Sequence, residues 1–524
     1  MMDQETVRIG LLIRQKKVNI SLIKGIDLDG IKVEKGSYEI SATEPANTPE
    51  WGGRVQVYTG KRSAEVCVER LAEKGIKSSI LDMGRDFTWG NYGKLVSKTY
   101  AVVIGRETTA EVAIENASNT LQKLRPGDIK GLRVFEDEIP WVEAVRLNPP
   151  SGGEIQLIHL ETGKKLKLPS PVVFPAEDVN PFFTLNDIRI GIDFHWDHKE
   201  NIAFKGSLEL HADGESVTVV NELEIDTYLT SVLGSEMRPD WGIASLAAQA
   251  VAAKSTILAT RGRHHFGEAF DLCHDDHCQC YRGAGREGET AKLALDRVKD
   301  VLLVHGNRVA DARYAKTCGG ISDVYSVAWD EEEIEYMVPV LCNSSLKSGD
   351  SDLKLKLSGD GEENLNYLLD NNVKWVACNP EVNDYPESAK EMEELYKWRF
   401  HFSQKELREL IEKRLKMSLG DILELTPLER GVSGRIKYLR IVGSEKTVSM
   451  GKELRIRRLL SDSHLPSSAF RVLKGTDGSF EIVGIGWGHG VGMCQLGAAV
   501  LADKGWSEEE ILLHYYPGTK LIVG

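Results

Sequence analysis

Residues 222–260 read ELEIDTYLTSVLGSEMRPDWGIASLAAQAVAAKSTILAT, and this stretch decides the fold of the largest part of the chain. Its first half has apolar residues at helical spacing and reaches Gly234, a residue type that suits a helix C-terminus. The second half is rich in alanine, which has strong helix propensity and leaves a narrow helix surface. We therefore expect two helices joined by a short turn that carries Glu236 at the edge of a groove.

The predicted position of Glu236 suits a general acid. A lone glutamate beside a turn is more often a solvated or capping group, so the position alone does not assign a role. Trp241 follows closely and is expected to be exposed, as part of an apolar wall beside the carboxyl group. It is our first candidate for a substrate contact.

A group of cysteines and histidines lies in residues 270–281, FDLCHDDHCQCY. Cys273, His277 and Cys278 are close enough in sequence to share one tetrahedral zinc ion, with a structural rather than a catalytic role. The candidates for a fourth ligand are His265, His264 and Cys280. A disulfide and unpaired thiols are the alternatives, although neither needs the interleaved histidines.

Residues 484–497, GIGWGHGVGMCQLG, have glycine at every second position of their first half. As a strand, this pattern predicts one face without side chains, against which a sugar ring or another segment can lie. Trp487, His489 and the following Gln495 are predicted substrate contacts. A phosphate loop is excluded because the segment lacks the required Lys-Ser/Thr ending.

Charge and composition limit the class of partner. The 524 residues carry a formal charge of -14 and no long run of lysine or arginine, so a nucleic acid or an anionic membrane is not the expected partner. A neutral or sugar-like polymer suits this surface better. The first apolar run is interrupted at Arg14, and from the sequence we expect neither a secretory signal nor a transmembrane segment.

The remaining sequence predicts an α+β protein with several parts. A strand and helix at VQVYTG and SAEVCVERLAEKG are repeated as YAVVIG and TAEVAIENASNTLQ, which predicts a ferredoxin-like βαββαβ module over residues 51–124. Such a module is either a glycan-binding unit or a purely structural duplication. We expect a β-rich segment at 1–50, a β-rich connector at 125–184, and a core at 185–524 with a polar surface insertion near 344–386.

Two family resemblances follow from these motifs. Residues 52–124, with the duplicated pattern and the Gln56 strand, resemble the sporulation-related repeat (SPOR) domain. The stretches VNELEIDTYLTSVLGSEM, LAAQAVAAKS, DLCHDDHCQCYRG, RYAKTCGGISD and GIGWGHGVGMCQLGAAVLADKGW, in this order, resemble the stage II sporulation protein D and amidase enhancer family. The second resemblance implies a core of curved strands and packed helices.

The resemblances also imply a function and site residues. They imply a lytic transglycosylase of the bacterial cell envelope that cuts peptidoglycan glycan strands, with peptide-free glycan bound by the SPOR-like module. The family's catalytic glutamate falls on Glu236, and Lys254 stands where the family usually has arginine, which loses the planar guanidinium fork. The family's zinc ligands match Cys273, His277 and Cys278.

Two other functional classes stay open at this point. A non-catalytic wall-binding protein that enhances a partner amidase would retain Glu236 as a structural residue. A zinc hydrolase acting on stem peptides would need an open coordination position and a nearby base at the metal loop.

Overall fold

The computed structural model describes residues 5–125, 128–129, 137–176, 180–190, 198–275, 277–343, 360–381 and 396–524. Within them, helices and several separate β-sheets pack on shared hydrophobic cores, which confirms the predicted α+β class. The helices, labelled in chain order, are α1 (Lys61–Glu73), α2 (Ala110–Leu121), α3 (Ile225–Glu236), α4 (Ile243–Thr260), α5 (Glu289–Arg297), α6 (Gly361–Asp370), α7 (Gln404–Leu415), α8 (Glu453–Leu459), α9 (Gln495–Asp503) and α10 (Glu508–Tyr515).

Helix α4 is the centre of the largest core. Every residue from Ser245 to Thr260 is buried, and α3, α5, α9 and α10 all pack against it. Its many alanines allow these close approaches on all sides. The 18 residues of α4 are also apolar enough to cross a membrane, but 89% of them are buried inside the protein, as expected of a core helix.

The first 50 residues do not form a separate segment, because three of their strands belong to two large sheets. One sheet has the order Val172–Phe174, Ser207–Asp213, Ser216–Glu224, Thr6–Gln15 and Leu272–Cys273. The other has the order Lys165–Pro169, Glu154–His159, Gly36–Glu44, Val18–Leu22, Phe183–Ile190 and His198–Phe204. The N-terminal strand thus joins the core directly, and the predicted border at residue 184 falls inside the strand Phe183–Ile190.

The ferredoxin-like module has the predicted βαββαβ order. Its antiparallel sheet runs Glu143–Arg146, Trp51–Tyr58, Thr99–Glu107 and Ser78–Met83, so its last strand lies beyond the predicted end at residue 124. Helices α1 and α2 cover one face of this sheet. The opposite face is also covered, because Val57, Ala101 and Val103 pack with Phe266 of the core.

The remaining strands form smaller units around the C-terminal half. One four-stranded sheet has the order Glu138–Ile139, Thr447–Gly451, Ile436–Gly443 and Ile422–Arg430, and it packs with α7 and α8 on a second core. The other units are Lys397–Phe402 with Phe480–Ile485 and Phe470–Lys474; Arg308–Val309 with Val301–His305 and Lys520–Val523; Tyr314–Ala315 with Met493–Cys494; Ile26–Leu28 with Ile31–Val33; and Phe87–Trp89 with Gly93–Leu95.

The prediction of a polar surface insertion near 344–386 is wrong for the part that the structure describes. In residues 360–381, α6 buries Leu365 and Leu368, and Cys378 is fully buried. The apolar residues of this segment extend the main core. Residues 344–359 and 382–386 lie outside the described residues.

The predicted alternating-glycine strand is also wrong. The strand Phe480–Ile485 ends before Gly486, and Gly486, Gly488, Gly490 and Gly492 have φ values of 80°, 94°, 68° and 72°. These angles lie in the left-handed region that favours glycine, so the chain turns repeatedly instead of extending. Gly490 faces protein rather than solvent, since a methyl group on it would overlap the guanidinium of Arg435.

Candidate functional site

Glu236 is the last residue of α3, whereas the sequence predicted it on the turn that follows the helix. Met237 already has an extended backbone, with φ -131° and ψ 149°. Pro239 restrains the chain two residues later, because a proline disfavours the helical conformation in the residue before it. The half-buried Glu236 side chain therefore leaves the end of a rigid, buried helix.

Three other segments of the chain converge on Glu236. Its Oε1 accepts a hydrogen bond from the amide of Cys280 at 3.2 Å, and its Oε2 accepts one from Nε2 of Gln495 at 3.4 Å. Its main-chain oxygen accepts a hydrogen bond from Nζ of Lys316 at 2.6 Å. Among the described residues the carboxylate has no cationic partner, so both its oxygens are held by neutral donors.

Gln495, which the sequence predicted as a substrate contact, is 1% exposed and contacts Glu236 instead. It is buried at the start of α9, and its Nε2 also lies 3.4 Å from Oε1 of Gln249 on α4. The amide group thereby links the carboxylate to the central helix. This contact restrains the carboxylate oxygen of Glu236 that the Cys280 amide does not hold.

Lys254 does not reach Glu236, which corrects the role expected for it. Its Nζ pairs with Oδ1 of Asp226 at 2.7 Å and donates to the main-chain oxygen of Lys299. Its position on α4 directs the ammonium toward the first turn of α3, whereas Glu236 is at the last. Lys254 therefore ties helices together, and Lys316 is the lysine that contacts the glutamate.

Trp241 is buried rather than exposed. Only 1% of its surface is accessible, so its indole ring cannot stack on a substrate in this conformation. The ammonium of Lys316 lies 5.6 Å from the ring centre, within the range of a cation–π contact. Trp241 thus helps to position Lys316 beside Glu236.

Two tyrosines complete the buried surroundings of the carboxylate. Burial raises the pKa of Tyr314 well above its ordinary value, and the negative charge of Glu236 adds to this shift. Burial likewise raises the pKa of Tyr228, with smaller contributions from nearby thiols and from Glu236. Both hydroxyl groups therefore stay protonated at ordinary pH.

Trp487 and His489 are both partly buried in residues 486–494, the segment between the strand Phe480–Ile485 and α9, which we call the glycine loop. The Trp487 backbone pairs with Thr317, next to Lys316, and the His489 ring lies 4.8 Å from the ring of Trp329. Burial, with the charges of Arg313 and Arg435, lowers the pKa of His489 to about 3. The imidazole is therefore neutral at ordinary pH, and its Nδ1 accepts a hydrogen bond from the amide of Val491 at 3.0 Å.

The cysteine and histidine loop forms a compact group of possible metal ligands. The ligand atoms of His265, Cys273, His277 and Cys278 all lie within 4.8 Å of one another. Nδ1 of His277 is 3.8 Å from Sγ of Cys273 and 3.5 Å from Sγ of Cys278, while Nε2 of His265 is 3.3 Å from the latter. Hydrogen bonding, foremost with Cys278, lowers the pKa of Cys273 well below its ordinary value.

These distances fit a tetrahedral zinc ion. Ordinary zinc bond lengths place sulfur and nitrogen ligands about 3.5 Å apart in a tetrahedron. His264 is not part of the group, since its Nε2 lies 2.8 Å from Nη2 of Arg313. A bound ion would fix the conformation of this loop, which we call the metal-ligand loop. Cys280 lies at its end and donates its amide hydrogen bond to Glu236.

Two parts of the chain match known families. Residues 213–305 match the family described as Stage II sporulation protein, and residues 323–492 match a domain of unknown function, DUF8618. The first match contains α3, α4, Glu236 and the metal-ligand loop. The second contains Arg435 and most of the glycine loop.

Three curated proteins are similar to this chain. An uncharacterized protein of Brachyspira hyodysenteriae is 27% identical over 358 residues, which is 67% of this chain and 76% of that protein. The amidase enhancer of Bacillus subtilis is 24% identical over 304 residues, 56% of this chain and 40% of that protein. Stage II sporulation protein D of Bacillus amyloliquefaciens is 39% identical over 71 residues, 14% of this chain and 20% of that protein. The chain thus spans less than half the length of the two named relatives.

Proposed function

The chain belongs to the stage II sporulation protein D and amidase enhancer family, and from that premise we propose that it cuts the glycan strands of peptidoglycan as a lytic transglycosylase. The bond cleaved is the glycosidic bond between N-acetylmuramic acid and N-acetylglucosamine. Its place of action is then the bacterial cell envelope.

In this proposal Glu236 acts first as an acid and then as a base. The carboxyl group donates its proton to the glycosidic oxygen as the bond from that oxygen to C1 breaks. The resulting carboxylate takes the proton of the sugar's own 6-hydroxyl as O6 bonds to C1, which gives a 1,6-anhydro end and restores the acid. The cycle consumes no water, so one carboxyl group is sufficient, whereas ordinary glycosidases use two.

The observation that carries this proposal is the set of contacts around Glu236. Neutral donors hold both carboxylate oxygens, and Lys316 holds the main chain below them. A carboxylate without a cationic partner can gain and lose a proton during a cycle more easily than one locked in an ion pair. The end of a buried helix also keeps its position fixed.

Peptide-free glycan strands and mass spectrometry test the proposal. The wild-type protein is expected to release fragments with 1,6-anhydro ends, and Glu236→Gln to release none while still binding the strands. Glu73→Gln, the same change at the exposed last residue of α1, is the matched control and should keep full activity. Products with ordinary reducing ends that carry oxygen from water would contradict the transglycosylase reaction.

A second candidate function is enhancement of a partner amidase without catalysis. The similarity to a protein named amidase enhancer favours it. In that case the wild-type protein and Glu236→Gln would both bind glycan, release no fragment, and accelerate an added cell-wall amidase equally. The digestion described above separates the two functions.

The proposed zinc ion has a structural role in either function. Its four candidate ligands are all side chains of the protein, so the tetrahedron leaves no position for a reacting water. A zinc hydrolase is for that reason not our proposal. The ion would supply only a cross-link that fixes the loop beside Glu236.

A further inference from the structure

A second group of possible metal ligands consists of four cysteines and lies in the hydrophobic core. Its members are Cys318, Cys342, Cys378 and Cys494, which we call the four-cysteine cluster. Their sulfur atoms all lie within 4.8 Å of one another, and each residue is at most 2% exposed. We propose that this cluster is a second metal site, which binds one zinc ion through four thiolates.

The spacing of the sulfur atoms fits a single ion. Sγ of Cys318 and Sγ of Cys378 are 3.8 Å apart. Zinc–sulfur bonds of ordinary length place the sulfurs of a tetrahedral site about 3.8 Å apart. A disulfide requires sulfurs at about 2.05 Å, and all four cysteines are unbonded here. The cluster is also too compact to surround the cube of an iron–sulfur centre.

Backbone amides point at the sulfurs, as expected for charged thiolates. Sγ of Cys494 accepts hydrogen bonds from the amides of Gly497 at 3.3 Å and of Cys318 at 3.4 Å. Sγ of Cys318 accepts one from the amide of Gly320 at 3.4 Å. Amide donors of this kind stabilise thiolates that are bound to a metal, so these three bonds suit sulfur ligands of an ion.

The position of Cys494 at the start of α9 supports the same conclusion. Its side chain caps the helix, a position where serine, threonine, aspartate or asparagine is the usual residue. A thiolate is stabilised there by the free amides and the positive end of the helix dipole. A thiol would gain little from either.

A buried cation is also present beside the cluster. The guanidinium of Arg435 is completely buried, and its Nη1 donates to the main-chain oxygen of Cys318 at 2.9 Å. A zinc ion with four thiolates carries two negative charges in excess, and a nearby cation lowers the cost of burying them. Asp323, which is also buried, offsets part of the same positive charge.

The ligands come from distant parts of the chain and lie next to the residues that hold Glu236. Cys318 follows Lys316 by two residues, and Cys494 precedes Gln495. The short strands Tyr314–Ala315 and Met493–Cys494 pair with each other, and Cys378 brings in the segment that follows α6. One ion would therefore join these three segments, and its binding would release the thiol protons.

Metal content of the full-length protein tests this site independently of any activity. We expect about two zinc ions per chain in the reduced wild-type protein. Cys273→Ser/Cys278→Ser should keep about one, and adding Cys318→Ser/Cys378→Ser should leave none. Cys67→Ser changes a buried cysteine outside both groups and should keep both ions.

Cobalt in the Cys273→Ser/Cys278→Ser protein should show strong thiolate charge-transfer bands, the signature of four sulfur ligands. If the variants do not fold, X-ray absorption at the zinc edge of the wild-type protein tests the site instead. Zinc in both sites gives an average of about three sulfur ligands and about one nitrogen ligand per ion, whereas zinc in the loop site alone gives about two of each. A metal-free cluster with four titratable thiols, two disulfides seen as a lower mass, or iron in place of zinc would each overturn the proposal.

Discussion

The main-chain amide of Cys280 donates a hydrogen bond to Oε1 of Glu236 at 3.2 Å, and Cys280 follows the candidate metal ligand Cys278 by two residues. The conformation of the metal-ligand loop is therefore coupled to the orientation of the glutamate. A main-chain donor is set by the path of the loop and not by the side chain at position 280. Loss of the loop's shape should consequently affect the site, although the hydrogen bonds to Glu236 described above come from no candidate ligand side chain.

Cys278→Ser should lower both the stability and the glycan-cleaving turnover of the protein. Removing one ligand of a structural zinc ion opens the loop, and a displacement of about 1 Å at Glu236 can lower turnover about 100-fold. Thermal unfolding, zinc content and the release of anhydro fragments measure the three effects. Cys67→Ser is the control, and unchanged turnover in a zinc-free Cys278→Ser protein would refute the coupling.

Lys316→Met and Lys254→Met should have different effects. Lys316 contacts the backbone of Glu236, so its loss should lower turnover, by about tenfold or more, with a smaller change in stability. Lys254 pairs with Asp226, which is 37% exposed and can be hydrated, so its loss should cost about 1–2 kcal/mol of folding free energy. Turnover per folded molecule should then stay near that of wild type. A larger loss of turnover in Lys254→Met than in Lys316→Met would instead support Lys254 as the partner of Glu236.

Gly490→Ala should destabilise the protein far more than Gly478→Ala. Both glycines have positive φ, at 68° and 82°, so both substitutions carry the left-handed cost of about 1–2 kcal/mol. Only at Gly490 would the added methyl also overlap the buried Arg435, whereas nothing lies within 4 Å at Gly478. Denaturant unfolding of the two variants compares the costs directly, and equal values would show that Arg435 can move aside.

His489 should make the folded state less stable in acid. Its pKa is about 3 in the folded protein and about 6.5 in an unfolded chain, so the unfolded state binds the extra proton. Stability is therefore lost as the pH falls from about 6.5 toward 3, by up to about 1.4 kcal/mol per pH unit. His489→Gln should lose less stability than wild type between pH 7 and pH 4. If both proteins lose the same stability, the His489 ring can be protonated in the folded state.

Local sequence patterns predicted the local structure well. The two strand–helix repeats of the ferredoxin-like module depend on residues within a few positions of each other. The metal-ligand loop could be found for the same reason, since three of its candidate ligands lie within six residues. Short-range spacing is sufficient in all these cases.

Contacts between distant segments could not be predicted in this way. Lys316 lies 80 residues from Glu236, and Cys318 lies 176 residues from Cys494, so no local pattern connects them. Trp241 was expected to be exposed beside Glu236, but only 1% of its surface is accessible in the folded protein. The glycine loop was predicted as a strand for another reason. Glycine at every second position is compatible with a strand and also with repeated left-handed turns, and the spacing alone does not distinguish the two.

The place of the strand Thr6–Gln15 has a consequence for folding during synthesis. Ile9 lies opposite Asn221 on one side and Leu272 on the other, so both neighbours of the first strand are made more than about 200 residues later. At about 5–20 residues per second, the ribosome leaves its apolar side chains uncovered for at least about ten seconds. This strand is therefore exposed to aggregation until both of its neighbours have been made.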